Sequence, residues 1–270
     1  MGYRTILVEL TDDRALEPRL QLARPLAGRF DAALIGMYAM PSPFIPAAYG
    51  EASAYLGADL IEAQREINRE IGQRVQETFR RICGAGPNVV WQEAEGDPGS
   101  LLAEAGRTTD LILARRTAAG SGEPPDVLDQ LVTAAGVPVL AVPETASGEP
   151  GQTVVVAWNG AREAARAVHD ALPFLQAARS VTLCAVGAAA ATTLEAAATM
   201  LRRHGVTVEA RQVDGADREV GEILLAQCSA QGADLLVMGA YGHTRLRELV
   251  FGGATRHVLH EAPLPVLFGS

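Results

Sequence analysis

Three glycines, Gly239, Gly242 and Gly252, are spaced with two residues between the first pair and nine between the second. Glycine lets bare backbone N–H groups approach an anion that a side chain would hold off. Met238-Gly239-Ala240-Tyr241-Gly242-His243 directly follows the apolar run Asp234-Leu235-Leu236-Val237, and Gly252-Gly253-Ala254-Thr255 opens the next helical pattern. The start of a helix presents unpaired N–H groups and the positive end of its dipole, which suits a phosphate. The chemistry is therefore non-covalent capture of a nucleotide by its phosphates. His243 lies inside the motif and could touch phosphate. Arg245 and Arg247 could reach a triphosphate, although Glu248 beside them also suits a solvated face.

The elements that must position these glycines are written twice. Ile6-Leu7-Val8-Glu9-Leu10 matches Val154-Val155-Val156-Ala157-Trp158, and Asp110-Leu111-Ile112-Leu113-Ala114 matches Asp234-Leu235-Leu236-Val237-Met238. Pro138-Val139-Leu140-Ala141-Val142 matches Pro265-Val266-Leu267-Phe268-Gly269, and residues 143–151 between the copies have linker composition. The expected domains are 1–143 and 152–270. Short apolar runs alternating with helical patterns predict parallel sheets covered on both faces. In the second half strands are expected near 153–158, 180–186, 206–213, 234–239 and 264–268, with helices near 161–177, 190–204, 216–230 and 253–261. In the first half strands are expected near 4–10, 32–38, 88–94, 110–114 and 138–142. An insertion follows the second of these, a Pro/Ala-rich loop over 41–57 and a long amphipathic helix over 59–83. In open parallel sheets ligands sit beyond the carboxyl ends of strands where strand order reverses. That rule places Asn159-Gly160 and Gly239 to Gly242 across one crevice.

Composition narrows the partners. A net charge of −9 opposes a nucleic-acid or acidic-membrane surface, so a nucleotide must be held by local dipoles and a few arginines. Apolar residues make up 48% and aromatics 5%, leaving Ala, Val and Leu to fill the core. Cys83, Cys184 and Cys228 lack metal-type spacing and read as buried thiols in a reducing cytoplasm. The first residues run straight into a strand, without room for a signal peptide, and no apolar run approaches the ~20 residues of a membrane span. His257 and His260 stand three apart on the last helix, but no third metal ligand accompanies them. His169 and His204 read as helix-surface residues. There is no G-x-S-x-G elbow, no H-E-x-x-H and no P-loop lysine, and Asp97-Pro98 and Asp217 read as helix starts, so no catalytic pair is named.

The repeated strand context, the glycine spacing and Pro263-Leu264-Pro265-Val266-Leu267 together resemble the universal stress protein family, in a tandem two-domain form. The resemblance covers nearly the whole chain. It implies two Rossmann-like α/β domains, each an open five-stranded parallel sheet with helices on both faces, arranged as an intramolecular pseudo-dimer. The family's single-domain members pair their last strands across a twofold axis, and here Val139-Leu140-Ala141 and Val266-Leu267-Phe268 would do so within one chain. A further homodimer stays open. The family pattern G-x2-G-x9-G-[ST] binds ATP or AMP in many members, here with or without Mg2+. Carried over, the nucleotide-binding set is Ala157, Asn159, Val186, Met238, Gly239, Ala240, Gly242, His243, Gly252, Gly253, Ala254 and Thr255.

Two departures retune that site. Gly253 stands where the family has Ser or Thr, and losing one hydrogen bond to a charged group costs about 1.5–3 kcal/mol, roughly 10- to 150-fold in affinity. Thr255 is close enough to substitute. Asn159 replaces an adenosine-contacting Asp, keeping an acceptor and losing the charge. In the first half Ala114-Arg115-Arg116-Thr117 stands where Gly239 to Gly242 stand, and Glu123-Pro124-Pro125-Asp126 opens the matching helix. Two prolines remove donors and two carboxylates repel an anion there. Gly120-Ser121-Gly122, with Arg115 and Arg116, lacks the family spacing, so this copy reads as degenerate. The expected function is a stress-response regulator binding an adenine nucleotide in its second domain, without catalysis beyond very weak hydrolysis. The alternative is a structural or interaction module that binds no nucleotide, or binds another small ligand through the 41–57 loop.

Overall fold

The computed structural model describes residues 2–43, 53–116, 127–215, 219–240 and 253–269. The first half runs β1 (Thr5–Leu10), α1 (Leu16–Phe30), β2 (Ala33–Met40), α2 (Ser53–Cys83), β3 (Val89–Glu95), α3 (Pro98–Gly106), β4 (Leu111–Arg115), α4 (Val127–Ala134) and β5 (Val139–Val142). The second runs β6 (Thr153–Ala157), α5 (Arg162–Asp170), α6 (Leu172–Ala177), β7 (Ser180–Val186), α7 (Ala188–Ala191) and α8 (Leu194–Arg203). It continues with β8 (Val208–Val213), α9 (Val220–Gln231), β9 (Leu235–Gly239), α10 (Gly253–Glu261) and β10 (Val266–Gly269).

The strands form one ten-stranded sheet in the order β3-β2-β1-β4-β5-β10-β9-β6-β7-β8. Every neighbouring pair is parallel except β5 and β10, which run antiparallel with Ala141 opposite Val266, Leu140 opposite Leu267 and Val139 opposite Phe268. The expected pairing of the last strands is therefore present, and it joins the halves as a pseudo-dimer. Both faces of the sheet carry core, because helices cover both and the inner strands must be apolar on each side. Val139, Leu140, Ala141 and Val142 are all fully buried for this reason.

The repeat extends to its details. The Asp234 carboxylate accepts from the N–H groups of Gly151, Gln152 and Thr153, and Asp110 accepts from those of Arg4 and Thr5. Each aspartate thus pins the entry to the strand beside its own. Between the halves, the Tyr3 hydroxyl donates to the Asp170 carbonyl at 2.6 Å, and Tyr3, Phe30 and Phe174 pack edge-on or tilted with ring centroids 5.0–5.6 Å apart. Arg29 lies over Phe30 and Phe174 and donates to the Pro150 carbonyl at 3.0 Å, so the linker is docked.

Three expected elements differ. The single helix over 161–177 is two, α5 and α6, because Pro173 near the start of α6 has no N–H to continue the ladder. The helix near 190–204 is likewise divided into α7 and α8. The long helix begins at Ser53, six residues before the expected Asp59, since a single Gly57 costs only ~1 kcal/mol in so long a helix. The remainder of the 41–57 loop lies largely outside the described residues. No helix among the described residues is long and apolar enough to cross a membrane.

Candidate functional site

The strand order reverses between β6 and β9, whose neighbours lie on opposite sides. Beyond their carboxyl ends opens a crevice of about 610 Å³. Ala157 and Asn159 enter it from the end of β6, Met238 and Gly239 from the end of β9, Val186 from β7, and Gly253, Ala254 and Thr255 from the start of α10. These expected site residues are brought together. Ala240 is buried in the apolar core and is not part of the crevice wall. Gly242, His243 and Gly252 lie outside the described residues, as do Arg245 and Arg247.

Each wall has a local cause. Gly239 is a glycine because α5 crosses it: a Cβ there would stand 2.5 Å from the Glu163 carbonyl carbon and 2.6 Å from the Ala164 nitrogen. Its first duty is close helix–sheet packing, not the bare N–H donor expected from the spacing alone. Gly253 differs, since a Cβ there would meet open space. Asn159 is exposed, and its Oδ1 accepts the Ala161 N–H at 3.0 Å, an Asx turn that leads β6 into α5.

Further lining residues escaped the sequence. Trp158, half-buried, donates from Nε1 to the Thr193 hydroxyl at 3.0 Å. Glu163, in the first turn of α5, brings a carboxylate to the crevice, paired with Arg162 at 2.5 Å. Gly187, at φ 82°, turns the chain from β7 into α7, and Leu224 and Val220 close the far side from α9. The available signal was Val186-Gly187, a strand ending in glycine in the same manner as β9. Cys184 forms part of the floor, and burial pushes its thiol up to about 11, so it is an apolar wall and not a nucleophile. Chemically the crevice combines an apolar end (Val186, Val220, Leu224), a carboxylate and a helix N-terminus. His257 packs against Gly221, and no group of three metal-type side chains occurs among the described residues.

Residues 151–268 match the Universal stress protein family model. The second half of the chain is thus similar to the universal stress protein family. A universal stress protein of Synechocystis is 56% identical over 34 residues, a match spanning only 13% of this chain and 12% of that protein's length. In fold, the crystal structure of a universal stress protein from Archaeoglobus fulgidus matches 98% of both chains with a TM-score of 0.71 at 14% identity. A functionally unknown protein from Pseudomonas aeruginosa matches 98% of this chain and 92% of its own, with a TM-score of 0.60 at 18% identity. At such identities the likeness is one of fold, and it includes the tandem arrangement.

The first half repeats the universal stress protein fold, but its described residues do not repeat the lining of the crevice. Val8 pairs with Leu113 as Val156 pairs with Val237, so Glu9 corresponds to Ala157 and Arg115 to Gly239. The register agrees with the match of Ala114 to Met238 and moves the placing of Ala114–Thr117 against Gly239–Gly242 by one residue. Arg115 is engaged with Glu9 at 3.6 Å. Arg116 donates to the carbonyls of Leu259 and His260 at 3.2 and 2.5 Å, closing the carboxyl end of α10 across the pseudo-dimer. Residues 117–126, with Gly120-Ser121-Gly122 and Glu123-Pro124-Pro125-Asp126, lie outside the described residues.

Proposed function

We propose that the second domain binds an adenine nucleotide, ATP or AMP, and that the protein acts as a stress-response regulator without turnover. The observation that carries this reading is the crevice of about 610 Å³ at the strand-order reversal, ending on the N-terminus of α10. Its volume lies within the usual range for small-molecule sites. The residues present fit the ligand. Val186, Val220 and Leu224 offer an apolar slot for a base, the Glu163 carboxylate can accept from ribose hydroxyls, and the start of α10 at Gly253 to Thr255 lines the crevice where a phosphate would meet its first N–H groups. Mg2+ would arrive with the phosphates. The nucleotide would bias a conformation or a surface read by a partner, as any ligand with unequal affinity for two states must.

The alternative, a module that binds no nucleotide, draws on Asn159, whose acceptor is already committed to the Ala161 N–H. Titration calorimetry of ATP and AMP, with and without Mg2+, separates the two. The native protein should bind about one equivalent per chain, and Gly253→Glu, which adds a carboxylate in open space, should lose at least about tenfold in affinity. No heat from nucleotide-free native protein would establish the alternative.

A further inference from the structure

Four positions change together between the two halves. The register sets Glu9 against Ala157 and Arg115 against Gly239. Counting along the chain from that pair, Asp13 stands where Ala161 stands, and Arg19 where Ala167 stands. Small uncharged residues in the second half are thus two acids and two guanidinium groups in the first, with charges that cancel.

Their contacts make them one unit. Glu9 is 1% exposed, and its Oε2 accepts the Arg115 N–H at 2.7 Å. That N–H is the counterpart of the Gly239 N–H in the other half. Glu9 Oε1 stands 3.6 Å from Arg115 Nε. Arg19 is fully buried, donating from Nε to the Glu9 carbonyl at 2.8 Å and from Nη2 to the Thr11 hydroxyl at 3.0 Å and to Asp13 at 3.3 Å. Asp13 in turn accepts the Ala15 N–H at 2.7 Å and lies 4.0 Å from Arg115 Nη1.

The neighbouring packing differs in the same place. In the second half α5 lies directly on Gly239 and on Gly269, where a Cβ would come 2.4 Å from Ala167 Cα. The corresponding pair in the first half is Arg115 and Val142, both with side chains. Where α5 rests on two bare glycines, the first half thus presents two side chains to α1, and Arg19 of α1 is held on Glu9, Thr11 and Asp13.

The geometry points to a built-in occupant in the first half: the Glu9 carboxyl takes the place of a small anion, with Oε2 on the Arg115 N–H and Oε1 3.6 Å from the Arg115 guanidinium, while Arg19 holds the Glu9 carbonyl and Asp13 beside it. Among the described residues, the place corresponding to the Gly239 N–H is thus taken by the chain's own side chain. This rests on the strand register and the cluster's contacts, and it stands whichever ligand the second crevice takes.

A ligand-like anion can be replaced by a free one, whereas a purely structural side chain cannot. The test is the full-length Glu9→Ala variant, melted in formate and in chloride at equal ionic strength. Its Tm should fall by ~6–15 °C, since removing one partner strands the buried guanidinium groups. Formate should restore several degrees of that loss in a concentration-dependent way, with chloride giving no such gain and the native protein no formate-specific rise. Equal responses to formate and chloride, or a Tm within ~2 °C of native, would overturn the proposal. If Glu9→Ala does not fold, Glu9→Met keeps close to the side-chain volume and removes the acceptor oxygen. In that variant the Arg115 amide should exchange at least about tenfold faster than in the native protein, and unchanged exchange would overturn the proposal equally.

Discussion

Gly239 and Gly269 stand opposite one another in the parallel register of β9 and β10, and the backbone of α5 rests on both. The first glycine of the motif is thereby tied to the helix that carries Glu163 to the crevice wall. It holds the shape of the site from behind.

The motif glycines should therefore fail differently. Gly239→Ala drives a methyl into the Glu163 backbone, where no side-chain rotation relieves it, and should cost about 1–3 kcal/mol in urea unfolding. Gly253→Ala meets open space and should stay within about 0.5 kcal/mol of native. Equal effects at the two positions would contradict the packing described.

The continuous sheet predicts one cooperative unfolding transition. Leu267, fully buried at the seam opposite Leu140, should cost about 2–5 kcal/mol when replaced by alanine, lowering that single transition as a whole. Two resolved calorimetric peaks, with only one displaced by Leu267→Ala, would mean that the halves fold independently.

Glu9 gives the pH dependence. Burial pushes its carboxyl above the ordinary glutamate value of 4.5, with Arg19 and Arg115 pulling the other way and Asp13 adding to the rise. A group that holds its proton more tightly when folded contributes stability that is full below the unfolded pKa and is lost as pH rises through the folded one. The stability of the native protein relative to Glu9→Gln should accordingly decline as pH rises above 4.5 and then level off. Denaturant midpoints across that interval test this, and a difference that grows with pH would reverse the assignment.

Ligand binding should be visible in Trp158. The chain has two tryptophans, of which Trp158 lines the crevice and Trp91 belongs to β3 at the far edge of the sheet. In Trp91→Phe, AMP or ATP should change the remaining emission with the same midpoint as calorimetry. Heat without any spectral change would move the binding site away from β6.

Much of this was legible because it follows from periodicity. Apolar runs such as Val139-Leu140-Ala141 can only be inner strands, and their repetition at Val266-Leu267-Phe268 placed the seam. The crevice was legible through Asn159, Val186 and Gly253, which end strands or begin helices at the same edge of the sheet. What escaped depends on contacts distant in sequence. Nothing local distinguishes Arg19 from a solvated helix residue, yet it is fully buried with the Glu9 carbonyl, Thr11 and Asp13 as its partners. Glu9 likewise looks like the polar end of a strand until the register brings the Arg115 N–H to it. Gly239 read as a donor because spacing reports backbone freedom, not which neighbour requires it.

The antiparallel junction of β5 with β10 lies within a single polypeptide, tethered by the docked segment around Pro150. Assembly of the two halves is therefore unimolecular. Dilution cannot separate them, and their association has no midpoint in protein concentration, unlike that of paired separate chains. The crevice edge of the second half is therefore assembled at any dilution, without waiting for a second chain to complete this seam.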